Sequence, residues 1–399
     1  MNRENSFSRS KWFVLILFGL MGQIAWAVEN MYFNLFVFNT VAPSLETVTL
    51  MVQLSGITAT VVTLVAGTVS DKIANRRAFI SWGYIIWGVT VALFGFLSPE
   101  LTEKLFAVSF DRAVAITLVL VVIADCVMTV FGSAANDAAF NAWVTDNTER
   151  SYRGKVEGIL SILPLVALLI VAGGLGIIVG SIGYDKMFLV LGVVISFSGA
   201  LGLIYVKDKR GLRKSGSMKD IFYGFRPSVI KDNAPFYVSL LVILVYGVAC
   251  QIFMPYMIIY MNRHLGFNEL EYSAVFALAI LAGATINVFL TRLSDKKDKV
   301  KLLYASALLM ATGLLLMYFS NGSSKTLNLV FFGLSGFVMI TGYIFTSALA
   351  GSTIRDFTPE GEVGKLQGVR MVFSVLIPML LGPMIGNAIN KAKGEDFPI

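Results

Sequence analysis

About eleven apolar runs, each long enough to cross a bilayer, take up most of this chain and constrain its fold more than any other feature. They fall near residues 12–37, 47–69, 79–98, 113–140, 158–181, 184–206, 235–261, 271–291, 301–320, 327–350 and 368–390. A crossing needs roughly 20 apolar residues, because a helix is the one local structure that satisfies its own backbone inside hydrocarbon. The runs are continuous rather than alternating, which selects helices over barrel strands. At 56% hydrophobic and 14% charged, the chain also lacks the polar surface of a water-soluble domain. The expected fold class is an all-α polytopic membrane protein.

Its net charge of +7 follows topology. Arg3, Arg9 and Lys11 precede the first run. Lys72, Arg76 and Arg77 follow the second, and Arg150, Arg153 and Lys155 follow the fourth. The longest polar connector holds Lys207, Lys209, Arg210, Arg213, Lys214, Lys219, Arg226 and Lys231, whereas the intervening loops carry scattered cations such as Lys104, Lys186, Arg263 and Lys325. Positive charge marks the cytoplasmic side, which places the N-terminus inside and makes the excess a topology signal with no nucleic-acid partner implied. Arg3, Arg9 and Lys11 before Ala25-Trp26-Ala27 also fit a cleavable leader, but the apolar run continues to about Val37.

Two polar signatures occur twice. Gly67, Ser70, Asp71 and Lys72, running on to Arg76 and Arg77, are echoed by Ser294, Asp295 and Lys296 with Lys297, Lys299 and Lys301. Asp146, Thr148, Gly154, Lys155 and Gly158 match Asp356, Thr358, Gly364, Lys365 and Gly368 at one constant offset. Such duplication is the build of a secondary transporter. The expected organisation is a six-helix bundle over 1–206, a cytoplasmic linker over 207–233, and a second bundle over 234–399. No run corresponds to the sixth in the second half, so its last span is expected to be missing. The linker, with Met218–Phe225 mixing apolar and charged residues, reads as a joint between bundles or a short helix on the anionic inner leaflet.

No Walker A pattern occurs, and no loop gathers a nucleophile, base and acid, so an ATP-driven pump and an enzyme are not expected, nor is any cofactor or metal. Cys126 and Cys250 lie inside runs as packing residues, and His264 falls in a short loop. Carboxylates in hydrocarbon cost about 2.5–3.5 kcal/mol each on insertion scales, so the few present are informative. Asp125 lies mid-run with Thr129, Gly132 and Asn136 on its helical face, and Asp137 follows. A deeply buried carboxylate suits proton uptake and release, so Asp125, Asp137 and Asn136 are the candidate proton-coupling residues. In the first run Gln23, Asn30 and Asn34 share one face, beside Trp26, Glu29 and Phe33. An aromatic ring next to amides and carboxylates holds a polyhydroxylated solute well. Tyr246 and Gln251, before Pro255, are the counterparts in the seventh run, and Thr285 and Asn287 read equally as helix-to-helix contacts.

The loop of Gly67, Ser70, Asp71, Lys72, Arg76 and Arg77, with its echo at Asp295, resembles the loop motif of the major facilitator superfamily. The resemblance implies two six-helix halves, the last helix absent here, and a cytoplasmic gate of Asp71, Arg76, Arg77 and Asp295. Asn136, Asp137, Phe140, Asn141, Ala142, Thr145 and Asp146 look like the fourth-span signature of the glycoside–pentoside–hexuronide:cation symporters and the sucrose-type carriers. That likeness implies a sugar as solute and a cation as driver. Sodium symporters of that group carry paired acids in the second span; here there is no carboxylate between Glu46 and Asp71, so a proton is the expected cation. The resulting expectation is a monomeric, multi-pass transporter of the cytoplasmic membrane performing proton-coupled uptake of a sugar or glycoside. An exporter of amphipathic compounds and a non-transporting sensor or assembly partner are the alternatives.

Overall fold

The structure, a computed structural model, describes residues 8–148, 153–209, 218–294, 298–320, 324–359 and 363–393. Among them eleven helical segments are long and apolar enough to cross a membrane. These spans are Arg9–Val41, Leu45–Ser70, Arg76–Phe94, Phe110–Asn147, Ile162–Ile182, Tyr184–Tyr205, Ala234–His264, Glu269–Asn287, Lys299–Tyr318, Lys325–Ile354 and Gly368–Ala392. All eleven expected runs are therefore helical spans. The first passes unbroken through Ala25, Trp26 and Ala27.

Local chemistry sets where several spans start. Ser8, Ser44, Asn75 and Asp298 each accept a backbone N–H of the first helical turn, meeting one of the donors that a helix start leaves unpaired. Asn75 and Asp298 open the spans that follow the two copies of the loop signature. Ala74, just before Asn75, takes the left-handed conformation at φ 57° and ends the second helix.

The chain forms two compact units. One runs to Ala167 and adds Ile182–Ile221; the other takes Leu168–Ser181 and the residues from Phe222 onward. In the first, Phe33 stacks on Phe94 with ring centroids 4.2 Å apart, and Phe188 meets Phe33 edge-on at 4.8 Å. In the second, Phe236, Tyr237 and Leu240 pack with Ile354, Leu366 and Val369. The second unit also holds the latter part of the fifth span, where Gly173 faces Ala277 and Gly176 faces Ser273 of the eighth.

Glycines bring two helices to backbone contact in each unit. A Cβ at Gly88 of the third span would strike the Gly192 carbonyl of the sixth, and one at Gly192 would strike the Gly88 carbonyl. In the second unit Gly313 of the ninth span lies on the backbone of Met339, and Gly342 of the tenth on that of Met310. Hydrocarbon gives no hydrophobic drive between helices, so backbone-close packing supplies much of the cohesion.

Gly192→Leu should therefore cost the folded protein about 3 kcal/mol, read as a lower unfolding temperature of the solubilised protein. Gly174→Ala, where nothing stands within 4 Å of the added carbon, should leave that temperature unchanged or raise it.

Candidate functional site: a buried carboxylate pair in the first unit

The first span does not keep α-helical pitch. It is α-helical over Arg9–Val28 and turns π-helical over Glu29–Phe33 and again over Val37–Val41. The fourth does the same over Ser133–Phe140 after an α-helical Phe110–Gly132. A π turn bonds i to i+5, so each residue advances less around the axis than in an α-helix. Polar residues beyond such a turn leave the face that an ideal wheel assigns them.

Glu29, at the first of these changes of pitch, meets Asp125 of the fourth span through two hydroxyls. Thr129 Oγ1 lies 3.2 Å from Glu29 Oε1 and donates within 2.8 Å to the Asp125 carbonyl. Ser55, from the second span, donates to Asp125 Oδ2 and sits 3.2 Å from Thr129 Oγ1. All four residues are buried, with Glu29 7% and Asp125 2% exposed. Glu29 and Asp125 are the only two acids in the buried class among the described residues. Glu29 Oε2 and Asp125 Oδ1 have no hydrogen-bond partner, and no described Lys, Arg or His pairs with either carboxylate. Two like charges confined this closely away from water repel strongly. A proton on one of them removes that repulsion and supplies a donor.

A second group forms around Asp137, in the π-helical part of the fourth span. Asn136 Nδ2 donates to Asp137 Oδ1 at 3.1 Å, and the Trp26 indole lies beside this carboxylate. Asn136 Oδ1 accepts the Tyr84 hydroxyl at 2.9 Å. Trp26 leans on Trp87 with ring centroids 5.2 Å apart, and Gly132 lies beneath both indoles. Gly22 is as constrained, since a Cβ there would collide with Asn136 and the Tyr84 hydroxyl.

The structure thus regroups the residues picked out in the sequence. Glu29 joins Asp125, and Trp26 joins Asp137 and Asn136. Asn30 and Asn34 turn their amides back to the Trp26 and Asn30 carbonyls, at 2.8 and 2.9 Å. Gln23 is half-buried. Ser55, Tyr84 and Trp87 join these groups without any distinguishing signal in the sequence. Ser55 is one hydroxyl in a span that also carries Gln53, Thr58, Thr60 and Thr63, and Tyr84 and Trp87 share a helical face that reads as ordinary packing.

In the second unit Tyr246 donates to the Tyr343 carbonyl at 2.8 Å, and the rings stand 5.9 Å apart. Gln251, half-buried, packs on Gly382. Pro255 lies in a tight 3₁₀ turn, Met254–Tyr256, that interrupts the seventh span. Thr285 bonds back to the Leu281 carbonyl, and Asn287 Nδ2 bridges Gly283 O at 2.9 Å and Thr341 O at 3.1 Å, tying the eighth span to the tenth. The His264 ring stacks on Tyr260.

At the span ends Arg76 pairs with Asp146 at 3.2 Å and donates to the Ser70 hydroxyl. Arg77 donates its backbone N–H to Asp208 at 3.1 Å and its guanidinium to the Leu203 carbonyl, closing the end of the sixth span. Asp71 stands in the last turn of the second helix; its side chain and the whole of Asp295 lie outside the described residues. In the second unit Lys299 pairs with Asp356 and donates to Ser352 at 2.9 Å. Asp146 and Asp356 are the matched acids of the internal repeat. Each joins the end of a fourth or tenth span to the start of a third or ninth.

The two ion pairs differ in burial. The Arg76 side chain is 7% exposed, whereas that of Lys299 is 36% exposed. Asp146→Asn should cost about 2 kcal/mol of stability, and Asp356→Asn less than about 1 kcal/mol. Unfolding temperatures of the two variants in one detergent should separate accordingly.

No curated protein matches the chain. Among solved structures, it aligns with a D-xylose-proton symporter at TM-score 0.69 and 13% identity, over 96% of this chain and 89% of that one. It aligns with a mutant of the nucleoside transporter NupG at TM-score 0.67 and 11% identity, over 95% and 91%. A bacterial homologue of the human lysosomal transporter Spinster, inward-facing and occupied, aligns at TM-score 0.63 and 16% identity, over 97% and 85%. Identities this low establish a shared fold alone. The sequence itself matches the family model described as Major Facilitator Superfamily from residue 12 to residue 383. With that match spanning nearly all of its helices, the chain belongs to the major facilitator superfamily, a multi-pass membrane transporter.

Proposed function

We propose that this transporter takes up a sugar or glycoside and draws on the inward flow of protons to do so. The observation that carries the reading is the Glu29–Thr129–Ser55–Asp125 cluster, two buried carboxylates linked by hydroxyls and paired with no cation among the described residues. One proton converts the pair from mutually repelling charges to a hydrogen-bonded unit. Proton binding is thus a large electrostatic event in the first unit, of the size needed to bias one conformation over another. Trp26, fixed beside Asp137 and half-buried with Gln23 and Asn30, offers the solute an aromatic face with carboxylate and amide acceptors around it. Glu29 and Trp26 are neighbours on one helix, so the proton and solute groups share a rigid element.

In this reading Asp125 and Glu29 carry the proton, and Asp137 with Asn136 and Trp26 orients the solute. Tyr246 and Gln251 are the solute-binding candidates within the second unit. Arg76, Arg77 and Asp71 serve the cytoplasmic gate in the first unit and Asp295 in the second. The protein works as a monomer in the cytoplasmic membrane with its N-terminus inside, as the basic connectors favour. The D-xylose-proton symporter of the same fold is a precedent for this pairing of sugar and proton.

The test is the external pH of membrane vesicles as sugars and glycosides are added. Alkalinisation with one sugar class is expected. Dependence on sodium overturns the proton as driver, and silence across the panel with folded protein overturns the reading and leaves export of amphipathic compounds or sensing in its place. Asp125→Asn and Glu29→Gln should each abolish accumulation against a gradient while counterflow exchange of labelled solute persists. Undiminished accumulation in both removes the pair from coupling.

A further inference from the structure

The connector between the sixth and seventh spans is pinned at both ends. At its start Trp143 Nε1 donates to the Lys207 carbonyl at 2.9 Å, and the Arg77 N–H reaches Asp208 at 3.1 Å. These contacts lie within the first unit. At its far end the Tyr237 hydroxyl donates to the Gly224 carbonyl. Gly224 lies so close to Val369 and Leu366 that a side chain has no room there. Val229 is buried with Phe236, Leu240, Ile354 and Leu366. One edge of residues 222–225 and of the short helix Pro227–Asp232 is thereby clamped onto the seventh and tenth spans and the helix leading into the eleventh.

The other edge is bare. Phe222 is 68% exposed and Phe225 and Ile230 are each 40% exposed. Arg226 and Lys231 stand exposed among them, and the Arg226 guanidinium lies 5.5 Å from the Tyr223 ring centroid. Aromatic rings interleaved with long cationic side chains suit the boundary between acyl chains and headgroups. There the rings sink and the cations extend outward to phosphate. The location agrees, because Ala234 begins a span two residues after this segment ends. Charge agrees as well, with eight basic and three acidic residues between 207 and 232.

The geometry points to Phe222, Phe225, Arg226, Ile230 and Lys231 as a docking surface for anionic lipid headgroups, which fastens the span ends of the second unit to the bilayer surface. The Gly224 clamp makes this more than a loose basic tether. Because its backbone is held against Val369 and Leu366, lipid bound at Arg226 is mechanically tied to the helix that leads into the eleventh span.

The full chain, with Cys126→Ala and Cys250→Ala, is given Phe222→Cys or Phe225→Cys, labelled with a fluorophore and reconstituted into phosphatidylcholine vesicles with or without phosphatidylglycerol. Brominated acyl chains, carried on one lipid or the other, then report which lipid surrounds the label. Stronger quenching by brominated phosphatidylglycerol is expected, the preference falling about fivefold for each cation removed by Arg226→Gln and Lys231→Gln. Equal quenching by the two lipids overturns the proposal, as does no quenching by either. A second readout needs no cysteine replacement. Phosphatidylglycerol should raise the unfolding temperature of the wild-type protein and not that of the Arg226→Gln/Lys231→Gln variant. An equal rise in both also overturns it.

Discussion

Hydrocarbon offers no hydrogen-bond partner, and most of this molecule's structure follows from that one fact. Each crossing segment must satisfy its backbone alone, which makes it a helix. Polar side chains within a crossing mostly find a partner on their own helix or on a neighbour. Asn30, Asn34, Thr49, Thr60 and Thr117 turn back to carbonyls four residues earlier. Asn287 and Tyr246 reach carbonyls of the tenth span. Glu29 and Asp125 are left with one another and two hydroxyls between them, and an arrangement so poorly compensated persists in a fold where it has work to do.

The two units answer this constraint differently. Both tie the start of one span to the end of another with an ion pair, Arg76 to Asp146 and Lys299 to Asp356. Both bring two helices to backbone contact through glycines. Only the first buries carboxylates among the described residues. The duplicated framework therefore supplies matched scaffolds, and the proton chemistry proposed here falls on one of them. The second unit contributes hydroxyls and amides, whose interactions strengthen or weaken little when a proton moves.

Changes of helical pitch do much of the positioning. Glu29 opens a π-helical turn, and Asn136 and Asp137 lie inside another. On an α-helical wheel Asn136 shares a face with Asp125 and Thr129. In the fold Asp125 and Thr129 turn to Glu29, while Asn136 turns to Tyr84 of the third span and to Asp137. One change of pitch thus divides a single polar stripe between two groups. It also brings Trp26 to the Asp137 carboxylate, a contact between the first and fourth spans that no sequence spacing encodes.

The sequence by itself determined the membrane class, the eleven crossings, the internal repeat and the family, because each rests on composition and periodicity that a helix in hydrocarbon must obey. It also singled out Glu29, Asp125 and Asp137, since a carboxylate among apolar residues stands out wherever the helix later packs. Tertiary structure alone decided which of these meet. Partnership between spans depends on the register and rotation of packed helices, set by contacts such as Gly22 on Asn136, Gly132 on the paired indoles and Gly88 on Gly192, and on π turns that shift each face. Ser55 shows the limit plainly. It is one hydroxyl among many until the second span, packed on the fourth, carries it to Asp125.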